Sequence, residues 1–516
     1  MFPKNVDNKQ DNLSIQAFGK RLYADQTVYE YLLEFLLVFS SAKEKIEADT
    51  IDYKGAFQFH EQLDEIRYYV NPRIGLKRFI FFDKSKKQDR FEIDKENYQE
   101  IFSMVENSIR GTEQKEVMTE VLQNAFYGFS AVLKNRSWFA QSLLPIAPEL
   151  IFNESMGAKS KRGNLHKKEN ETDGKEYTLN ETEKIFDFTK HSFMARGGEV
   201  YYLHILQGLQ KTPELKQRLE EYLKRLVHTV EPLGKLGAFI QEKWEKQGDI
   251  QVKKQMQKYQ CDYIPKGYEH RSVYTCQELV NFLSSSINAL DKMEYLGPGM
   301  MLQIFRMMYE QAQIRAKGDE QKPLWLVDVS KGNKNIRNLA QQSLDIYKET
   351  IEAANNIGLE NFQDISKKYE KKAEKNESYR GKELEFKLMK DAQKDTTGLI
   401  NKIGKEIKLL MPISGAKARM TLSEEMITFL VTALLEPMQK VTVDTFYELL
   451  FEHFGMVIGT RYEKEYYAFL GIEQNYEMDF KENEKGFLRL LKDCGFLREL
   501  SDATAIVVNP YERDEI

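Results

Sequence analysis

Two cysteines and a histidine form the group of side chains best suited to metal chemistry. Cys261, His270 and Cys276 lie within sixteen residues, and Asp262 adjoins the first of them. A structural zinc site needs four ligands, with pairs of Cys or His a few residues apart, and no two of these residues have that spacing. We therefore predict no metal site and no cofactor. The third cysteine is Cys494, and three cysteines exclude a disulfide framework and fit a reducing, cytoplasmic location.

Carboxylates near lysines are a second group to consider. Glu385-Phe386-Lys387 is similar to the Glu-x-Lys sequence of metal-dependent nucleases, but it lies in a charged, helical segment. Asp328, with Lys331 beyond it, is on a predicted buried strand and lacks a second carboxylate. The chain has no G-x-x-x-x-G-K-[ST], G-x-G-x-x-G, H-E-x-x-H or G-x-S-x-G sequence. We assign no catalytic residue and favour a protein without enzymatic activity, with a cryptic metal-dependent nuclease as an alternative.

A glycine turn is the candidate anion contact. Arg196, Gly197 and Gly198 precede a predicted helix that begins at Glu199. A helix N-terminus offers unpaired N–H groups that can bind an anion beside an arginine. The simpler and favoured interpretation is structural, since two glycines let a helix and a loop approach closely.

Basic residues mark two candidate nucleic-acid contacts. The first set lies in a polar stretch, residues 153–184, that is predicted to be a linker or mobile loop: Lys159, Lys161, Arg162, Lys167 and Lys168. The second pair, Lys485 and Arg489, lies one turn apart on a predicted helix near the C-terminus. For the loop, a solvated run of charge is the favoured interpretation.

The composition predicts a mainly α, multidomain protein. Only 12 Pro and 29 Gly interrupt 516 residues, a length above the roughly 250–300 residues at which single cores stop growing. We predict helical modules at 1–152 and 185–358, the second with one buried strand at Leu324–Val329, and a charged helical arm at 359–418. In the first module, Leu76–Phe82 and Arg90–Ile93 are predicted to form a small β-hairpin. No stretch has the roughly 20 apolar residues of a membrane span, so no membrane contact is expected.

The last module, residues 419–516, has the order helix, short strand, helix, helix, β-hairpin. This order resembles a winged helix, with a long stretch between the second and last helices, and we expect the module to fold alone. From Met420 onward it has nine basic and nineteen acidic residues, a net charge of −10. Since phosphates repel an acidic surface, the module is expected to bind protein in preference to duplex DNA.

Three features together resemble uncharacterised accessory proteins of bacterial anti-phage defence loci. They are the Arg-Gly-Gly-Glu turn at 196–199, the early helix around Tyr23-Ala-Asp-Gln-Thr-Val-Tyr, and the winged-helix pattern. The resemblance implies a non-enzymatic scaffold or adaptor of a multi-protein defence or DNA-processing assembly, whose partner subunits could include an ATPase or a nuclease. The alternative of another class is a sequence-tolerant nucleic-acid-binding protein that uses the basic loop and the last helix.

Overall fold

The computed structural model describes most of the chain. The described residues are 12–19, 22, 24–44, 51–52, 56–60, 63–71, 73–84, 92–132, 138–152, 156–157, 186–187, 197–246, 257–261, 264–318, 323–330, 332–415, 417–501 and 504–515. The structure is mainly helical with a few small sheets, as the composition predicts. Among the described residues, no helix combines the length and the apolar character needed to cross a bilayer.

Eighteen helices are defined within the described residues. They are α1 (Leu13–Phe18), α2 (Val28–Ser40), α3 (Ile74–Phe81), α4 (Glu92–Ser108), α5 (Lys115–Tyr127), α6 (Gly197–Lys211), α7 (Lys216–Val227), α8 (Glu231–Glu245), α9 (Ser272–Ser284), α10 (Ala289–Lys317), α11 (Lys334–Asn356), α12 (Phe362–Ala373), α13 (Gly381–Asp395), α14 (Thr397–Glu406), α15 (Glu424–Leu434), α16 (Val443–Phe454), α17 (Glu463–Leu470) and α18 (Glu477–Asp493).

The strands are short. They are β1 (Ala42–Glu44), β2 (Ile51–Asp52), β3 (Arg67–Val70), β4 (Ser130–Val132), β5 (Ser142–Leu143), β6 (Met156–Gly157), β7 (Phe186–Asp187), β8 (Gln257–Gln260), β9 (Trp325–Leu326), β10 (Leu410–Met411), β11 (Arg419–Met420), β12 (Lys440–Thr442), β13 (Met456–Val457), β14 (Leu497–Ser501) and β15 (Thr504–Val508).

The chain divides into two compact units, each built from segments that are distant in sequence. The first unit comprises Met1–Val28, Val200–Leu223 and Asp262–Ile516, and the second comprises Tyr29–Glu199 and Lys224–Cys261. The predicted modules instead follow one another along the chain, and their boundaries remain predictions.

Helix α10 is the centre of the first unit. It has 29 residues, its N-terminus is capped by the Asn288 side chain, and nearly every residue from Leu296 to Gln313 is buried. A helix that is apolar on all sides needs partners on all sides. Helices α9, α11 and α15 supply them, and Gly299 allows the Phe429 ring of α15 to approach the α10 backbone closely.

The C-terminal elements belong to this first unit and include those of the predicted order, with β13 and α17 added in the long stretch before the last helix. β12, β15 and β14 form a three-stranded sheet, and β13 pairs in parallel with β9, the observed part of the predicted strand Leu324–Val329. Helix α15 packs against α9 and α10, and the Asn281 side chain of α9 donates a 3.0 Å hydrogen bond to the Ala433 carbonyl of α15. These contacts would be lost in a fragment of residues 419–516, and independent folding of this module stays a prediction.

The predicted charged arm, residues 359–418, is helical and has a small core of its own. Helices α12 and α13 expose most of their charged residues, although Asp395 is buried, and Ile365, Leu384 and Leu388 form a buried cluster with Leu13 of α1. The apolar residues are few, but their helical spacing places them on one side. One face of the arm is therefore held against the first unit.

The predicted β-hairpin in the second unit is wrong. Ile74–Phe81 forms helix α3, all of whose residues are buried, and Ile93 lies in helix α4; Arg90 is outside the described residues. A short apolar run that is buried on every side has no periodicity that separates a strand from a helix. The sheet of this unit instead has the order β2-β1-β3-β8.

Candidate interaction surface of the C-terminal elements

Helix α18 is fixed to the first unit through its inner face. The Asn483 side chain donates to the carbonyls of Val327 (2.7 Å) and Ile458 (2.9 Å), and its Oδ1 accepts the N–H of Val329 at 2.9 Å. A Cβ atom on Gly486 would lie 2.9 Å from the Val329 carbonyl carbon, so glycine is required for this approach. Because these contacts fix the inner face of α18, they also fix the direction in which its outer face points.

The outer face of α18 carries four exposed basic residues, which we call the basic face: Lys481, Lys485, Arg489 and Lys492. Lys481 pairs with Glu477 at 2.6 Å and Lys492 with Glu499 of β14 at 3.1 Å. Within the described part of the chain, neither Lys485 nor Arg489 has an ion-pair partner. These two residues, predicted as a nucleic-acid contact, are therefore adjacent, exposed and accessible.

Helix α16 has the opposite charge on its outward residues. Asp444, Glu448 and Glu452 follow at intervals of four residues, and we call them the acidic face. Arg461 binds Glu448 and lies 3.8 Å from Asp444. The inner faces of α16 and α18 meet where the Phe446 and Phe487 rings stack, with centroids 6.4 Å apart. The charged Asp and Glu residues of α16 are thus not accompanied by Lys or Arg on that helix, whereas α18 has four basic and five acidic residues. The net value of −10 does not show this difference.

A buried polar network lies beneath α16. The Glu278 carboxylate of α9 contacts the Arg306 guanidinium of α10 at 3.1 Å and the His453 ring of α16 at 2.8 Å. Gln303 donates to the same carboxylate at 2.5 Å, and Arg306 donates to the His453 carbonyl at 2.8 Å. Glu278 and Arg306 are almost fully buried. The network joins three helices of the first unit.

His204 of α6 extends this network. Its Nδ1 lies 2.5 Å from the Tyr268 carbonyl and its Nε2 lies 2.8 Å from the Thr275 hydroxyl. Arg306 donates to the same hydroxyl at 2.6 Å. This arrangement assigns a neutral ring, with Nδ1–H donating to the carbonyl and Nε2 accepting from Thr275.

Burial and charge set the pKa values of the two central groups. Burial alone would raise the pKa of the Glu278 carboxyl, but Arg306 and His453 outweigh it and lower the pKa to about 2. Burial, followed by repulsion from Arg306, lowers the pKa of His204 to about 3. At neutral pH, Glu278 is therefore charged and His204 is neutral.

The predicted anion contact is occupied by a side chain of the protein. The Gly198 N–H donates a 2.8 Å hydrogen bond to the Glu34 carboxylate, which takes the position of an anion at the N-terminus of α6. Gly197 faces the Tyr31 ring, and Gly198 lies against the backbone of Tyr31 and Phe35. Arg196 is outside the described residues. Contact with an external anion stays a prediction, and close helix packing accounts for both glycines.

Replacing Gly198 by Ala is expected to lower the stability of the second unit by about 1–3 kcal/mol, the usual cost of overpacking. The added Cβ would lie 2.7 Å from Glu34 Cβ and closer still to the α2 backbone. Urea unfolding measured by hydrogen exchange of second-unit peptides tests this. Gly128→Ala is the matched control, because its Cβ would meet the Ala125 carbonyl oxygen at an ordinary 3.5 Å. Equal stability of the two variants would contradict the packing explanation.

The remaining predicted candidates lie apart from this network. Asp328 is paired with Arg419 and accepts from the Ser330 hydroxyl at 2.7 Å, which gives it a structural role. In α13, the Lys387 ammonium lies 3.6 Å from the centroid of the Tyr379 ring. The loop residues Lys159, Lys161, Arg162, Lys167 and Lys168 lie outside the described residues, as do Asp262 and Lys331.

The cysteines and histidine considered for metal binding have other surroundings. Cys261 and Cys276 are buried thiols outside any disulfide, and Cys276 donates to the Ile205 carbonyl at 3.3 Å. His270 lies 3.2 Å from the Glu310 carboxylate. Among the described residues, no group of three or more Cys, His, Asp or Glu side chains could hold a metal ion.

Sequence reasoning missed Glu278, Arg306 and His453. The signal was present in part, because Gln303 and Arg306 interrupt the otherwise apolar stretch 296–308 of α10 at a spacing of three residues. Polar and charged residues inside an apolar stretch need buried partners. Their partners Glu278 and His453 lie 25 to 147 residues away, and the sequence does not identify them.

Comparison of the chain with protein-family models, with curated proteins and with solved structures gives no match. The winged-helix and defence-protein resemblances therefore remain resemblances of pattern.

Proposed function

We propose that this protein is a non-enzymatic scaffold or adaptor that docks partner proteins through its winged-helix-like C-terminal elements. The observation that carries the proposal is the contrast between two packed helices: the outward charges of α16 are all acidic, whereas α18 exposes four basic residues among acidic ones. Electrostatic complementarity of this kind fixes the orientation and the choice of a protein partner. The assembly that we propose, a bacterial defence or DNA-processing complex, rests on the sequence resemblance alone.

The carboxylates that could take part in catalysis support an adaptor. Glu278 is held by Arg306 and His453, and Asp328 is held by Arg419. A carboxylate committed to an arginine is poorly placed to bind a metal ion or to exchange protons at neutral pH. These pairs favour structural roles for both groups.

The number of unpaired basic residues also favours protein over DNA. Each phosphate contact contributes about 0.9 to the slope of log binding constant against log salt concentration. The basic face has two residues without an ion-pair partner in the described structure, Lys485 and Arg489, so their contribution to that slope is about 2. Proteins that bind duplex DNA through six to ten phosphates have a much steeper slope and a larger electrostatic contribution to binding.

The test is affinity purification of the full chain from its native cells, with and without Asp444→Lys combined with Glu448→Lys. We expect a stoichiometric partner protein to be retained by the unaltered chain and lost from this variant. Glu370→Lys with Glu374→Lys is the matched control, because it reverses two exposed charges at the same spacing, on α12 and at its C-cap. Equal retention by both variants, or the absence of a partner protein from the unaltered chain, would contradict docking through the acidic face.

Nucleic-acid binding is the second candidate, favoured by the unpaired residues Lys485 and Arg489. It predicts that the full chain binds duplex DNA with micromolar or lower Kd at roughly 0.15 M salt. Under this alternative, Lys485→Glu with Arg489→Glu would abolish the binding, whereas Asp444→Lys with Glu448→Lys would strengthen it. A fluorescence anisotropy titration decides between the two candidates.

A further inference from the structure

Helix α5 of the second unit has an apolar outer face. Val117, Met118 and Val121 have 52%, 42% and 52% of their surfaces exposed, and Ala125 is exposed as well. Their spacing of one, four and eight residues from Val117 places them on one stripe of the helix. We call Val117, Met118, Val121 and Ala125 the α5 stripe.

The orientation of α5 is fixed by its opposite side. Gln123 donates to the Phe79 carbonyl at 2.5 Å and to the Tyr98 hydroxyl at 3.0 Å, and Phe126 is fully buried. Rotation of the helix to bury the α5 stripe would break both hydrogen bonds and expose the Phe126 ring. The stripe is thus a stable feature of the outer surface.

The neighbouring charges are mainly acidic. Glu113, Glu116 and Glu120 are exposed, Glu116 and Glu120 lie along one flank of the stripe, and half-buried Lys115 lies on the other side. Within the described residues, none of the three glutamates forms an ion pair. A contiguous apolar surface edged by polar groups is typical of a site of protein interaction.

We propose that the α5 stripe binds an amphipathic helix of a partner protein, with Lys or Arg beside its apolar residues. The apolar residues of such a helix would pack on Val117 and Val121, and its basic residues would pair with Glu116 and Glu120. A second copy of this chain fits less well. In an antiparallel two-fold pair of α5 helices, each glutamate flank would face its own copy.

This inference rests on the proposed adaptor function and adds a second docking surface to it. The probes are two fluorescein-labelled designed helical peptides with the same leucine stripe, one flanked by lysines and the other by glutamates. Anisotropy titrations use the full chain at roughly 0.15 M salt. We expect the lysine peptide to bind about tenfold more tightly, the change expected when two surface charge pairs turn from attractive to repulsive.

Three variants make the result specific. Val117→Asp with Val121→Asp is expected to abolish binding of the lysine peptide, and Glu116→Lys with Glu120→Lys to reverse the preference between the peptides. Met478→Asp is the control, since Met478 is 76% exposed on α18 of the first unit. Circular dichroism confirms that each variant is folded, as expected for changes at exposed positions.

Equal affinity for the two peptides would overturn the proposal. So would concentration-dependent dimerisation in sedimentation that Val117→Asp with Val121→Asp abolishes, because the occupant would then be a second copy. The Asp444→Lys, Glu448→Lys variant leaves α5 unchanged and should bind the lysine peptide normally. The experiment thereby distinguishes a failure of the proposed C-terminal docking surface from a failure of the α5 stripe to bind a helix.

Discussion

Replacing Glu278 by Gln is expected to lower the stability of the first unit by about 3–5 kcal/mol. The change leaves the buried Arg306 guanidinium without its countercharge, and removing one partner of a buried ion pair has a cost of this size. The loss should appear as reduced urea resistance, measured by hydrogen exchange of peptides covering residues 272–284 and 443–454. Peptides of the second unit provide an internal reference.

The matched control for this variant is Glu436→Gln. Glu436 pairs with Arg513 at 2.7 Å, but both side chains are about half exposed. Exposed pairs contribute at most about 1 kcal/mol, so this variant should change stability far less. Similar effects of the two substitutions would contradict the importance assigned to burial.

The same carboxylate predicts a loss of stability at low pH. Its pKa of about 2 in the folded chain lies below the ordinary value of 4.5, so the unfolded chain takes up the proton first. The stabilisation of the folded chain by the charged Glu278 carboxylate is complete above pH 4.5 and disappears as the pH falls toward 2. At about 1.4 kcal/mol per unit, the total is about 3 kcal/mol, in line with the Glu278→Gln expectation.

His204 is expected to make the first unit sensitive to milder acid. Its folded-state pKa of about 3 lies far below the ordinary 6.5, so its contribution to stability is complete above pH 6.5 and declines as the pH falls toward 3. The loss should reach about 2 kcal/mol at pH 5. Protonation would place a second donor against the Thr275 hydroxyl, which already accepts from Arg306.

His204→Gln tests this prediction, since glutamine does not titrate. The variant should be less stable than the unaltered chain at pH 7 because its packing changes. Its first-unit stability should nevertheless fall less between pH 7 and pH 5. Urea midpoints of first-unit peptides at pH 7, 6 and 5 measure the slope, and an unchanged slope would contradict the assignment to His204.

Local patterns in the sequence predicted the C-terminal elements well. The capping box Thr421–Glu424 predicts a helix start here, and in the structure the cap of α15 is Ser423, two residues after Thr421. The predicted stop at Leu435 and the left-handed Gly455 at the end of α16 are observed. These signals act over a few residues and do not depend on distant packing. The run Leu76–Phe82 had no such signal, and burial on all sides removed its periodicity, so the predicted strand is a helix.

The candidate site was only partly predictable for a related reason. Lys485 and Arg489 were found because exposed charge is visible in sequence. Lys481 and Lys492 form ion pairs with Glu477 and Glu499, whereas Lys485 and Arg489 form none within the described residues. This difference depends on the folded positions of the two glutamates. Net charge alone also concealed that α16 has acidic residues without Lys or Arg, whereas α18 has both signs of charge.

The discontinuous first unit has a consequence for the order of folding during synthesis. Helix α1 packs against α10, α11 and α13, whose residues leave the ribosome long after it. The first segment of the first unit cannot form these contacts until the whole second unit has been synthesised. Likewise, β9 can pair with β13 only after about 130 more residues have been added. Contacts this distant in sequence slow folding, and domains fold as units while the chain is made. The second unit can therefore fold first, before synthesis of the first unit is complete.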